Sequence, residues 1–166
     1  MRDINKPVSG RRAGVVPVLV LLLVAAGCQY APKCLEPYNV LLHARFVTQD
    51  GSREKDTLLV NADIYGIGRE DTLLTSGKES FSKIDFPMDP NRDSCRFAFR
   101  YNGLTDTLLF LYDRSVRLLS YECGFIMEYG NLQVEYTMHQ IDSVAVTDSL
   151  VSNTDDENIK IYLFRH

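Results

Sequence analysis

The sequence predicts an all-β fold: an antiparallel two-layer β-sandwich behind a cleaved N-terminal signal, with a closed β-barrel as the alternative. Three observations carry this. Beyond residue 38 the apolar residues recur at every second position, the period of a half-buried strand, rather than at every third or fourth. The runs are short, and turn-forming residues separate them at intervals of about 8 to 12 residues. Asn102-Gly103 stands between two such runs. It is the pair best suited to a two-residue hairpin turn, because both positions tolerate positive φ.

The first segment sets the compartment. Arg2, Lys6, Arg11 and Arg12 precede an uncharged stretch, Ala13 to Gly27, which ends Ala25-Ala26-Gly27-Cys28. A basic head, a short apolar middle and small residues before a cut make a secretory signal. A membrane-spanning helix needs about 20 apolar residues, and this run is shorter. The ending resembles the lipobox of bacterial lipoproteins, an aliphatic residue and two small ones before a cysteine, although Ala25 stands where Leu is usual. The resemblance implies lipidation of Cys28, with ordinary cleavage elsewhere or an uncleaved anchor as the competing readings. Two or more acyl chains hold a protein stably, at about 0.8 kcal/mol per buried CH₂. The expected organisation is therefore a signal peptide over 1–27, a lipidated tether over 28–38 and a β-sandwich domain over 39–166. The tether contains Pro32 and Pro37 and shows no periodicity.

The strands follow in order. Val40, Leu42, Ala44 and Phe46 line one face, with His43 and Arg45 on the other. Leu58, Val60, Ala62 and Ile64 alternate with Asn61 and Asp63 before Gly66 and Gly68 break the run. Ile84, Phe86 and Met88 alternate, but Pro87 restricts that piece to an edge or a loop. Cys95, Phe97, Phe99 and Tyr101 share a face and lead into Asn102-Gly103. The return run, Thr107 to Tyr112, is apolar on both faces, which suits a central strand. Leu119 to Tyr129 reads as one strand with apolar odd positions and a bulge or bend at Gly124. Leu132, Val134, Tyr136 and Met138 oppose polar neighbours. Ile141 to Thr147 and Ile159 to Phe164 complete the set, with the polar loop Ser152 to Asn158 between them.

Charge limits the partners. Four of the 18 Lys and Arg and one of the 22 Asp and Glu fall in the first 27 residues, so cleavage would leave a net charge of −7. Nucleic acid and anionic lipid both need clustered cations, and no basic stripe exists. The readings that remain are a membrane contact through the lipid anchor and an envelope protein or glycan as partner.

Candidate chemistry is sparse. Asp-Thr-Leu-Leu begins at Asp56, Asp71 and Asp106, with no fixed period. The simplest reading is a turn whose Asp accepts nearby backbone N–H groups before Thr starts an extended run. The rival is a calcium site, which requires six to eight gathered oxygens. Asp89 to Ser94 begins like a calcium loop, but Ser94 occupies the position that needs glycine and Arg100 the one that needs a bidentate carboxylate. Asp155-Asp156-Glu157 suits a solvated loop. His43 and His139 fall on polar faces, and with the terminal His166 they show no zinc spacing. No G-x-S-x-G elbow is present, and Gly66-Ile67-Gly68 lacks the helix that would hold a phosphate. The sequence points to no catalytic, cofactor or metal residue.

Cys34, Cys95 and Cys123 remain beside the lipidated Cys28, and three thiols make at most one internal bridge. Cys34 with Cys123 is the favoured pair. It would close a loop of about 90 residues, stabilising by up to ~4.6 kcal/mol on a chain-entropy model. Cys95 with Cys123 is the rival, since both point toward the expected core.

Taken together, Cys28, Cys34, the three Asp-Thr-Leu-Leu phrases, Glu122-Cys123-Gly124 and Glu157-Asn158-Ile159-Lys160-Ile161-Tyr162 resemble small lipoproteins of Bacteroidota grouped as a domain of unknown function. The resemblance implies a β-fold and supports the Cys34–Cys123 pair; it assigns no active residue. Surface-exported lipoproteins of that phylum carry acidic residues just after the lipidated Cys. Here Gln29-Tyr30-Ala31-Pro32-Lys33 follows, which favours an outer-membrane position facing the periplasm. The expected function is a non-catalytic envelope lipoprotein that binds or scaffolds another component. A cell-surface glycan-binding or adhesion module is the alternative, and a small envelope hydrolase is third.

Overall fold

A computed structural model describes residues 34–51, 53–77 and 79–164. The signal segment 1–27, the lipidation candidate Cys28, the tether up to Lys33 and His166 lie outside the described residues. The chain divides into two compact units, Met1–Cys34 and Leu35–His166, and the second holds every described strand. These are β1 (Leu41–Asp50), β2 (Arg53–Asp56), β3 (Leu59–Val60), β4 (Asp63–Gly66), β5 (Ser80–Phe81), β6 (Lys83–Pro87), β7 (Ser94–Tyr101), β8 (Leu104–Ser120), β9 (Gly124–Tyr136), β10 (Ile141–Val146) and β11 (Ile159–Leu163). No helix occurs among the described residues.

The fold is all-β, and none of its sheets closes into a barrel. One sheet is built around β1. Its first edge takes β11, with β10 beyond, and its second edge takes β6 over Leu41–Arg45 and then β2 over Val47–Asp50. The other sheet runs β4-β7-β8-β9, and a two-stranded ribbon joins β3 to β5. All described pairings are antiparallel except β1 with β11, which is parallel from Ala44 opposite Ile159 to Val47 opposite Tyr162. Alternation along a strand fixes its faces but not its direction, so this pair was not legible in the sequence.

Aromatic rings join the two sheets. Phe46 on β1 stacks on Phe99 of β7 at 5.3 Å between centroids. Phe86 on β6 meets Phe97 of β7 at 4.9 Å and Phe110 of β8 at 5.2 Å, the latter edge-on. Phe46, Phe86, Phe99 and Phe110 are fully buried. Burial of one such side chain stabilises by roughly 1.5–3 kcal/mol.

Most faces follow the predicted parity. Leu42, Ala44 and Phe46 point inward from β1, and Ile84, Phe86 and Met88 point inward along β6. Pro87 is tolerated because β6 pairs only with β1. The Asn102-Gly103 turn has φ of +50° and +78°, with Tyr101 opposite Leu104, as a two-residue hairpin of type I′ requires.

Two expectations need correction. Leu58, Val60, Ala62 and Ile64 do not share a face. Leu59 is fully buried, whereas Leu58 and Val60 are exposed. Asn61 sits at φ +55°, a left-handed conformation that asparagine tolerates, and it resets the parity between β3 and β4. Leu119 to Tyr129 is not one strand either. β8 extends to Ser120, the chain turns through Tyr121–Cys123, and β9 starts at Gly124, whose φ of +76° suits glycine.

Candidate functional site

The cysteines resolve first. Cys34 is bonded to Cys123, and Cys95 is a free thiol, so the rival pairing with Cys95 does not form. The bond ties Cys34, within the expected 28–38 tether, to the turn between β8 and β9.

The Asp-Thr-Leu-Leu phrases go three ways. Asp56 pairs with Arg45 at 2.8 Å, and Asp71 lies exposed in a loop. Asp106 is fully buried. It accepts bonds from the Thr137 hydroxyl (2.8 Å) and the backbone N–H groups of His139 (2.8 Å), Gln140 (2.6 Å) and Ile141 (3.0 Å). Burial pushes its carboxyl up, but these donors outweigh burial and hold it below the usual carboxylate range. Asp106 therefore pins the entry to β10 onto β8. The donors come from more than 30 residues away, not from a local turn as the phrase suggests. Among the described residues no three His, Cys, Asp or Glu gather as a metal ion requires. Asp89 instead closes a turn, its carboxylate accepting from Asn91 N–H at 2.9 Å.

The histidines are engaged. His43 is only half-exposed; its Nδ1 meets Asp85 at 2.7 Å and its Nε2 meets the Thr154 carbonyl at 3.1 Å. Both ring nitrogens of His43 thus face oxygen atoms of the fold. His139 is exposed and leans on Asp106 through Nδ1 at 3.0 Å.

A surface cleft of about 750 Å³ opens where Gly66–Arg69, after β4, faces Pro87–Arg92 and the start of β7. Arg69, Arg92 and Arg96 line it, with Asp89 as its one acid. Arg92 lies 3.7 Å from Asp89, whereas Arg69 and Arg96 pair with no carboxylate among the described residues. Among the described arginines outside the cleft, Arg45 pairs with Glu157 and Asp56, Arg100 with Asp63, Arg114 with Asp93 and Arg117 with Glu128, while exposed Arg53 pairs with no described carboxylate. Cys95 also lines the cleft, and burial pushes its thiol up to about 11. A protonated thiol is a poor nucleophile at neutral pH. Tyr112 is fixed nearby, its hydroxyl donating to the Asp89 carbonyl at 3.1 Å. Chemically, the cleft offers guanidinium groups to an anion.

Residues 57–163 match the profile described as a family of unknown function, DUF6452. The chain belongs to that family. No curated protein and no solved structure matches it. The DUF6452 match takes in the cleft, Asp106 and Cys123, but begins after β1 and β2. Cys34, the partner of Cys123, therefore lies outside the matched stretch. Sequence reading missed Arg69, Arg92 and Arg96, because three arginines on two loops and a strand carry no spacing signal. The cue within reach was Gly66-Ile67-Gly68 beside Asp89-Pro90, two turn clusters whose neighbours the DUF6452 fold brings to one cleft.

Proposed function

We propose that this protein is a lipid-anchored bacterial envelope protein, held to the outer membrane through Cys28, facing the periplasm, and binding its partner rather than transforming it. The observation that supports the binding part is the cleft, where Arg69 and Arg96 meet no described carboxylate while Arg45, Arg100, Arg114 and Arg117 each do. Guanidinium groups suit carboxylate or phosphate, which they engage through paired N–H donors. The partner is then an envelope protein or glycan bearing such a group. The protonated Cys95 thiol and the fully engaged His43 support a non-catalytic reading. The apolar run ending in Ala25-Ala26-Gly27-Cys28 supports the anchor.

A photocrosslinking residue placed at Arg96 in living cells tests the binding part. The captured partner should carry carboxylate or phosphate groups, and the double variant R69A/R96A should weaken its binding at least tenfold. Unchanged affinity in that variant contradicts the cleft's role. Protease added to intact cells should leave a periplasm-facing domain whole; its digestion would favour the cell-surface glycan-binding or adhesion alternative.

A further inference from the structure

The strand β8 outruns the sheet that covers it. Its even-numbered residues Leu108, Phe110 and Tyr112 are buried against the β1 sheet. The same face continues as Val116 and Leu118, which are 63% and 45% exposed, and β9 sets the 71% exposed Phe125 opposite Leu118. At the turn Tyr121 is 95% exposed. The other face is polar where it is exposed, at Asp113, Ser115 and Arg117; there Ile126 and Glu128 are buried, and Arg117 bonds both to Glu128 at 2.6 Å and to Asn153 at 2.7 Å. An apolar face left bare on one side of an otherwise satisfied hairpin marks an interaction surface.

We propose that this open face of the β8–β9 arm seats on the lipid bilayer that holds Cys28. The inference rests on the anchored reading above. Cys34, the end of the segment that carries Cys28, is bonded to Cys123 in the arm's own turn. Five residues stand between Cys28 and Cys34, so the two lie at most about 20 Å apart along the chain. Through the disulfide, a lipidated Cys28 would keep the arm's turn within that reach of the membrane surface. Tyr121 suits the headgroup level, where aromatic residues with a polar end concentrate. Exposed Glu122 beside it limits the depth to that level, since a carboxylate is costly in hydrocarbon.

The chain has no tryptophan, so F125W places a single fluorophore on the face. L104W is the control, at the far end of the same strand, roughly 45 Å from Leu118 along β8. Lipidated protein is reconstituted into phosphatidylcholine vesicles with and without brominated acyl chains. F125W should shift its emission to the blue on reconstitution and lose at least half its intensity to the brominated lipid; L104W should do neither. Flotation of the wild type with vesicles, lost in C28A, checks the anchor separately. Floating protein whose F125W emission is unquenched overturns the seat and leaves the anchor standing. Failure of the wild type to float removes both. Shielding of F125W without lipid that grows with protein concentration means a second copy covers the face, which also overturns the proposal.

Discussion

The two halves of the β8–β9 ribbon share strands and ladder but differ in what covers them. In the half nearer the Asn102-Gly103 turn, Leu108 and Phe110 are fully buried against the opposite sheet. In the half nearer Cys123, the continuing face exposes Val116, Leu118 and Phe125. Apolar burial holds the first half on β8; the second keeps Ile126 and Tyr129 buried on β9 and adds the backbone ladder, the Arg117–Glu128 pair and the bond from Cys123 to Cys34. Surface ion pairs contribute little, about 0–1 kcal/mol. Equivalent hydrophobic residues on one strand can serve stability in one place and contact in another, and only the opposing layer decides which.

Substitutions can break that contrast. Phe110→Ala, in the covered half, should destabilise by about 3–5 kcal/mol, read from urea midpoints, because it opens a cavity beneath Phe86 and Phe97. If that loss were under 1 kcal/mol, the covered half would not be the stabilising one. The double variant C34S/C123S should cost about 2–4 kcal/mol. Hydrogen exchange should locate the change, with amides over 113–130 speeding more than those of β7. A uniform change across both regions would merge them.

Asp106→Asn should cost about 2 kcal/mol, since an amide nitrogen then faces backbone N–H groups that had a carboxylate. The wild type should also lose stability in acid. Its folded carboxyl titrates below the unfolded value of about 3.9, so the contribution is whole above roughly pH 4 and fades as pH falls through the folded value. The variant should lack that acid limb. Smallest of all, Phe125→Ser should change stability by no more than about 0.5 kcal/mol, because the ring is already in solvent.

The same contrast explains what the sequence could reveal. Period-two alternation named the inward residues of β1, β6 and β7, and Asn102-Gly103 gave its hairpin, since these depend on neighbours along the chain. Asn61 hid one strand boundary, because one left-handed residue resets parity without disturbing composition, and the bend expected at Gly124 is in fact where one strand gives way to the next. The parallel β1–β11 pair, the remote donors to Asp106 and the arginine cleft all join segments far apart in the chain. No local pattern encodes such meetings. Val116 and Leu118 fall between the predicted runs Thr107 to Tyr112 and Leu119 to Tyr129, and β8 continues through both of them.

What gives the open arm its meaning is the membrane anchor, and mass spectrometry of the mature N-terminal peptide addresses that most directly. A peptide that begins at Cys28 and carries acyl chains, absent in Cys28→Ala, is the predicted result. An unacylated wild-type peptide that starts downstream of Cys28 would contradict it.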